Sequence, residues 1–245
     1  MRKFYYLAFG VLCLCSCTNE LDLLPTDEDS SALTRSSRSS YDISEIASNN
    51  SLGASNTATL NNCVSEMVKN HPEYASLFDY AVSNSRRFSD MKIDGSSSGT
   101  KGSPGAYNPN NKGLYFLNSS VIAEAFPEEF LHFSQDNMYS GGISQYLTVG
   151  KCNIEFEAKF IKDVLRWRDG MGGTFDGMGV KYSNEYTNMI LDLETGDFPT
   201  YAEFEYYGCD YWDFLGDFNH EGSPYHSVMV EGLVPVVIDY IGQRF

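Results

Sequence analysis

The chain has 245 residues, an apolar content of 42% and a formal net charge of −16 at pH 7. This length suits one domain with a substantial core, preceded by a separate N-terminal segment. Such an acidic chain is repelled by the phosphates of nucleic acids and by anionic membrane surfaces, so we expect neither as a binding partner.

Residues 1–17 have the features of an export signal. Arg2 and Lys3 precede an apolar run, Phe4 to Leu14, that is too short to span a bilayer stably. The run ends in Leu-Cys-Ser-Cys, which resembles a bacterial lipobox and implies cleavage before Cys17 and lipid attached to its thiol. The alternative is an ordinary secretory signal or a short membrane anchor. We expect a lipid-anchored protein of the cell envelope, at the outer membrane.

Removal of this signal changes the charge and the cysteine content of the mature chain. Two basic residues leave with it, so the net charge of −16 becomes about −18. Three cysteines remain without lipid, Cys63, Cys152 and Cys209. An odd number permits one disulfide at most, and their spacing selects no pair. We expect all three to be small core residues.

Residues 18–58 are predicted to form a flexible tether, because Ser, Asn, Thr and Asp predominate and apolar residues are few. The globular domain is then expected at residues 59–245. Its first part, Cys63 to Val82, has apolar residues at helical spacing interrupted by Asn70-His71-Pro72. This pattern predicts two short helices joined by a turn.

The next stretch predicts a small sheet and a long helix. Short strands are predicted at Met91–Asp94 and Gly113–Leu117, and the Gly-, Ser- and Pro-rich stretch between them is predicted to be a loop. Asn118-Ser119-Ser120 offers a helix N-cap, so a helix is expected from about Ser120 to Tyr139. Pro127 either kinks this helix or begins it anew after a turn. The fold class expected is α+β and mostly helical.

This helix contains the main candidate site. Glu128, His132 and Gln135 fall on one narrow stripe, and Glu129 lies beside them. Apolar residues cover the other sides, so the helix is expected to be buried. Polar side chains aligned in a core need partners, because unpaired buried polar groups cost several kcal/mol.

A second helix is predicted over Asn153 to Leu165. Its charged residues Glu155, Lys159, Lys162 and Arg166 share one face, which is expected to be solvated. Glu157 instead falls on the apolar face, where an acid indicates a ligand or a buried ion pair. The periodicity therefore favours Glu157 over Glu155 as a functional residue.

These segments together resemble a known family. The Gly113–Leu117 strand, the Glu-Glu-x-x-His-x-x-Gln helix and the Asn-x-Glu-Phe-Glu-Ala helix look like zincin-like peptidase-type lipoproteins of Bacteroidota, and are similar to gluzincins. The resemblance implies a zincin-like domain that binds a peptide or protein substrate along an edge strand near Tyr115. It makes His132 and Glu157 zinc ligands and Glu129 the general base, with Glu128 in the place of the first histidine.

The ligand set departs from the family pattern at Glu128. A catalytic zinc site commonly uses histidines with one carboxylate, whereas a Glu/His/Glu set is harder and closer to the preferences of manganese or magnesium. Two carboxylates also neutralise more of the metal charge and acidify a bound water less. Three functions therefore stay open: a metal-dependent peptidase, a zincin-fold lipoprotein that binds a protein or glycan without catalysis, and a core polar network that only resembles the motif.

The last third of the chain is rich in aromatic residues between Thr200 and Phe218. Such residues are typical either of a sugar- or peptide-binding surface or of helices that close the core. A final apolar helix is predicted from Val228 to Ile241, broken or kinked at Pro235.

Overall fold

The computed structural model describes Arg38 and residues 40–96, 99–171 and 178–245. Its seven α-helices within these ranges are α1 (Ala54–Asn70), α2 (Pro72–Ser83), α3 (Ile122–Met138), α4 (Lys151–Arg168), α5 (Ser183–Asp192), α6 (Tyr211–Phe218) and α7 (Val236–Gly242). Its three strands are β1 (Asp90–Ile93), β2 (Gly105–Asn108) and β3 (Gly113–Phe116). The fold class is α+β with mostly helical residues, as predicted. The predicted signal segment, Cys17 and the start of the predicted tether lie outside the described residues.

The sheet has the order β1-β3-β2, with β3 parallel to β1 and antiparallel to β2. The predictions of β1 and β3 are confirmed, but β2 lies in the stretch predicted to be a loop. Its sequence, Gly-Ala-Tyr-Asn, has little strand propensity of its own and forms a strand by pairing with β3. The expectation of an edge strand near Tyr115 is wrong, because β3 is the central strand and β2 is an edge.

Helix α3 is continuous and central. Asn118 caps the preceding 3-10 turn by accepting a hydrogen bond from the Ser120 backbone N–H, as its sequence predicts. Pro127 lies inside the helix and does not begin a new one. One side of α3 packs on β2, and the others pack on α1, α4 and α7. This position explains why the helix is apolar on nearly every side.

The domain begins earlier than residue 59, its predicted start. Ile43 and Ile46 in a short 3-10 helix are fully buried in the main core. Ala47 and Asn50 then form parallel bridges with Phe88 and Met91, beside β1. A few well-spaced apolar residues are thus enough to hold a polar segment against the domain. The tether prediction relied on average composition, which does not register such spacing.

The aromatic-rich stretch near the C-terminus closes the core. Phe204, Tyr211, Phe214 and Phe218 are all buried and contact one another or the aromatic residues of α4 and α5. The final helix is shorter than predicted and covers only Val236–Gly242. It begins directly after Pro235, which has no N–H to donate and suits a helix start.

The three cysteines expected in the mature chain, Cys63, Cys152 and Cys209, are buried and unpaired. Their role as small core residues is confirmed. Among the described residues, no helix is both long and apolar enough to cross a membrane.

The buried position of Ile46 gives a test of the domain boundary. We expect Ile46→Ala to lower the free energy of unfolding by about 2–4 kcal/mol, because it removes buried methyl groups and leaves a cavity. Ser48→Ala, at an exposed neighbour, is the control and should change it by less than about 0.5 kcal/mol. Chemical denaturation followed by circular dichroism measures both. Equal stability of the two variants would place this segment outside the folded core.

Candidate metal centre

A seam of polar side chains joins α3 to α4. Lys162 forms an ion pair with Glu128, His132 faces Glu155, and Gln135 donates to Glu157. Gln135 also donates to the Ile154 carbonyl oxygen, so partners later on α3 lie earlier on α4 and the two helices pack antiparallel. The polar stripe predicted on α3 is therefore confirmed, and side chains of α4 supply its partners.

Glu128, His132 and Glu155 form the candidate metal centre. Each offers a ligand atom, and these atoms lie within 4.8 Å of one another. The His132 Nε2 and Glu155 Oε2 atoms are 3.6 Å apart. All three side chains are mostly but not fully buried. Glu128 and His132 are predicted ligands, whereas Glu155 stands where Glu157 was predicted.

Gln135 orients the imidazole of His132. The Gln135 amide nitrogen donates to the Ile154 carbonyl oxygen and to Glu157 Oε2, each at 2.8 Å. Its oxygen is therefore the atom that faces His132 Nδ1, also at 2.8 Å. This bond places a proton on Nδ1 and leaves Nε2 to point toward Glu155. Metal-binding histidines are commonly held by such a bond to their other nitrogen.

The charges around His132 favour its protonated form. Burial by itself lowers the pKa of His132, but the carboxylates of Glu155, Glu129 and Glu128 outweigh it and raise that pKa above its usual value. Burial likewise raises the pKa of Glu128, and here the Lys162 ammonium outweighs it and lowers the pKa. The centre thus concentrates negative charge, and the Lys162 ammonium pairs with one of its carboxylates.

Glu129, the predicted general base, lies beside this centre and contacts β2. Its Oε2 accepts a hydrogen bond from the Tyr107 backbone N–H at 2.5 Å. Burial raises the pKa of Glu129 to about 7. The strand approaches the helix closely at Gly105, where an added Cβ would lie 2.8 Å from Ala125 Cβ and 3.0 Å from Glu129 Cγ. Glu129 therefore joins the edge strand to the helix of the site.

Glu157 is not part of the centre, contrary to the prediction. It is fully buried, as its place on the apolar face predicted. Its Oε2 accepts from Gln135 and from the Tyr139 hydroxyl, at 2.8 and 3.0 Å. Its Oε1 accepts from the backbone N–H groups of Val237 and Ile238, at 2.6 and 3.2 Å. With these four donors, Glu157 caps the N-terminus of α7.

Glu155 and Lys162 were missed because their face of α4 was expected to be solvated. Lys159 on the same face is buried, and its Nζ lies 3.9 Å from Asp163 Oδ1. The signal that could have found them is charge complementarity. The α3 stripe carries an acid one turn before a histidine, and the α4 face carries an acid and two lysines at matching one-turn intervals. Two such faces pair with each other when the helices pack.

Comparisons with known protein families, with curated proteins and with solved structures found no match. The zincin-like family resemblance therefore stays a prediction from the sequence motifs.

The different tasks of Glu155 and Glu157 give a matched pair of variants. We expect Glu157→Gln to lower the free energy of unfolding by about 2–4 kcal/mol, because an amide cannot accept all four hydrogen bonds in a buried site. Glu155→Gln, two residues away and partly exposed, should change it by about 1 kcal/mol at most. Urea denaturation measures both. If Glu155→Gln proved the more damaging, the assignment of Glu157 as the cap of α7 would fail.

Proposed function

We propose that this protein binds a divalent cation between α3 and α4 and uses it to hydrolyse peptide bonds. The observation that carries this proposal is the convergence of Glu128, His132 and Glu155. In this proposal Glu155 is the third metal ligand, the role that the sequence analysis assigned to Glu157. The fold, the metal and the reaction are all part of this proposal.

The three side chains come close to the spacing that a divalent ion needs. Three ligand atoms about 2.0–2.2 Å from one ion lie about 3–4 Å from one another. The His132 Nε2 and Glu155 Oε2 atoms are 3.6 Å apart and already fit, whereas the Glu128 carboxylate, within 4.8 Å of both, would move closer to them on binding the ion. Two carboxylates with one imidazole suit manganese or magnesium better than zinc, which is the ion that the family resemblance implies.

A divalent ion at this place would polarise a substrate carbonyl and make a water more acidic. The residues of the chain do the rest. His132 is oriented by Gln135, so its Nε2 faces the centre. Glu129 lies next in the chain to Glu128 and is the group placed to accept a proton from the attacking water. Its bond to the Tyr107 N–H fixes its carboxylate against β2.

A second function, ligand binding without catalysis, is favoured by the partners of the two glutamates. Glu128 is already paired with the Lys162 ammonium, and Glu129 with the backbone of Tyr107. In this alternative the protein keeps the site as a structural seam and binds a protein or glycan elsewhere on its surface. The two functions differ in metal content and in turnover, which are measured separately.

Metal binding is tested on the purified protein with Mn²⁺ and Zn²⁺ by calorimetric titration after chelator treatment. We expect one ion per chain, and a loss of affinity of at least about tenfold in His132→Ala and Glu155→Gln. Glu157→Gln is the matched control, and its folded fraction should bind the ion as the natural chain does. Equal weak binding by all four proteins would contradict the metal proposal.

Lys162 offers a gain-of-affinity control in the same titration. Lys162→Met keeps the length of the side chain and removes the cation that competes for Glu128. Its loss should raise the affinity for the ion by about tenfold or more. If the site never binds metal, Lys162→Met should show no ion binding in the titration, because the substitution then only removes a positive charge.

Activity separates the two proposed functions. With the ion bound, we expect cleavage of quenched fluorescent peptides that stops with chelator. We expect Glu129→Gln to lower the rate by about a hundredfold or more, since the amide still accepts the Tyr107 N–H but cannot take a proton. A folded chain that neither takes up the ion nor cleaves any peptide would instead support binding without catalysis.

We also propose that Cys17 anchors the mature chain to a membrane of the cell envelope through lipid, as the lipobox-like sequence implies. Metabolic labelling with a radioactive fatty acid tests this, with Cys17→Ser as the unlabelled control.

A further inference from the structure

A cavity of about 740 Å³ lies next to the metal centre, enclosed by α1, α2, α3 and α4. Lys162 belongs to both places, since it lines the cavity and pairs with Glu128. Pro127, the residue before Glu128, also lines the cavity. A molecule bound here therefore lies against the same turn of α3 that carries the candidate site. The volume is within the range of small-molecule sites, about 300–1,000 Å³.

The floor of the cavity is apolar and buried. It is formed mainly by Cys63, Met67, Tyr74 and Leu165, each less than 10% exposed. The Cys63 thiol is directed toward Met67 Sδ and the Ala123 carbonyl oxygen, so it is part of the packing. Burial also raises the pKa of Cys63 to about 12, which keeps the thiol neutral. Such a floor suits an aliphatic side chain and offers no charge of its own.

The wall on α4 carries a guanidinium group with one unpaired nitrogen. Arg166 lines the cavity one turn after Lys162, and its Nε is buried. This nitrogen has no hydrogen-bond partner among the residues that the structure describes. A buried donor left unpaired costs about 1–3 kcal/mol. A carboxylate in the cavity would pair with the guanidinium group of Arg166, because guanidinium groups are well shaped to bind carboxylates.

The mouth of the cavity has the opposite charge. Glu66 on α1 and Glu124 on α3 line it, and both are exposed. Asp169 also lies there, but its carboxylate is 2.9 Å from His71 Nε2. The cavity is therefore negative where it meets the solvent and positive at Arg166 on the α4 wall. A simple anion would be repelled at the entrance, whereas a ligand with both charges would match the two ends.

We propose that this cavity binds a short peptide with free termini and an aliphatic side chain. Its α-carboxylate pairs with Arg166, its α-ammonium group lies between Glu66 and Glu124, and its side chain rests on the apolar floor. As the substrate or product class of the neighbouring centre, this ligand rests on the proposed function. The binding itself requires no metal ion.

The probe is leucyl-leucine, titrated calorimetrically into the full chain, purified in detergent and kept in chelator. Leucyl-leucinamide lacks the carboxylate, and N-acetyl-leucyl-leucine lacks the ammonium group. We expect leucyl-leucine to bind, and each modified peptide to bind about tenfold or more weakly. Arg166→Met should also weaken the binding of leucyl-leucine about tenfold or more. It should leave the binding of leucyl-leucinamide unchanged, because the substitution and the amide each remove the same pair of carboxylate and guanidinium.

Arg86→Met, at an exposed arginine outside the cavity, is the control and should bind all three peptides as the natural chain does. Thermal denaturation is measured beside each titration, and Arg166→Met should be no less stable than the natural chain. No binding of leucyl-leucine at millimolar concentration, or equal affinity for the three peptides, would overturn the proposal. Binding unchanged by Arg166→Met would overturn it as well.

The same titrations keep the two proposals apart. Peptide binding in chelator by a chain that takes up no metal would reject the metal centre and retain the cavity. Metal uptake that is lost in His132→Ala, with no peptide bound by any variant, would reject the cavity and retain the centre.

Discussion

One buried amide, that of Gln135, connects the structural part of the α3–α4 interface to the candidate site. Its nitrogen donates to the Ile154 carbonyl oxygen and to Glu157, and its oxygen faces His132. Every one of these groups is buried or nearly so, and an unsatisfied member would be costly. The amide thus holds α4 in register with α3, contributes to the cap of α7, and sets the orientation of the imidazole.

Two glutamates separated by one residue on α4 perform different tasks around this amide. Glu157 points into the core and receives four hydrogen bonds, so all its capacity is used by the fold. Glu155 points to the partly open side of the interface and has capacity left. A metal ligand needs that spare capacity. Burial on an apolar face identifies an important acid, but it does not distinguish a structural anion from a ligand.

The charges of the centre are balanced within the chain. Lys162 pairs with Glu128 at the place where a cation would bind, and it also lines the neighbouring cavity. Lysine is a compact charge on a flexible stem and can move aside when an ion or a ligand takes its place. The candidate centre and the cavity therefore share one cation, Lys162.

The sequence by itself determined the helices α1 to α4 and strands β1 and β3, because apolar spacing and turn residues act locally. It also determined that Glu128, His132 and Gln135 share a face and that Glu157 is buried. The tertiary structure decided which residues meet that face. Strand β2 formed because β3 offered its edge, residues 43–50 joined the core through two isoleucines, and Glu155 with Lys162 met α3 because the helices pack antiparallel. Which elements contact one another depends on long-range packing, and the periodicity of a single helix carries no information about it.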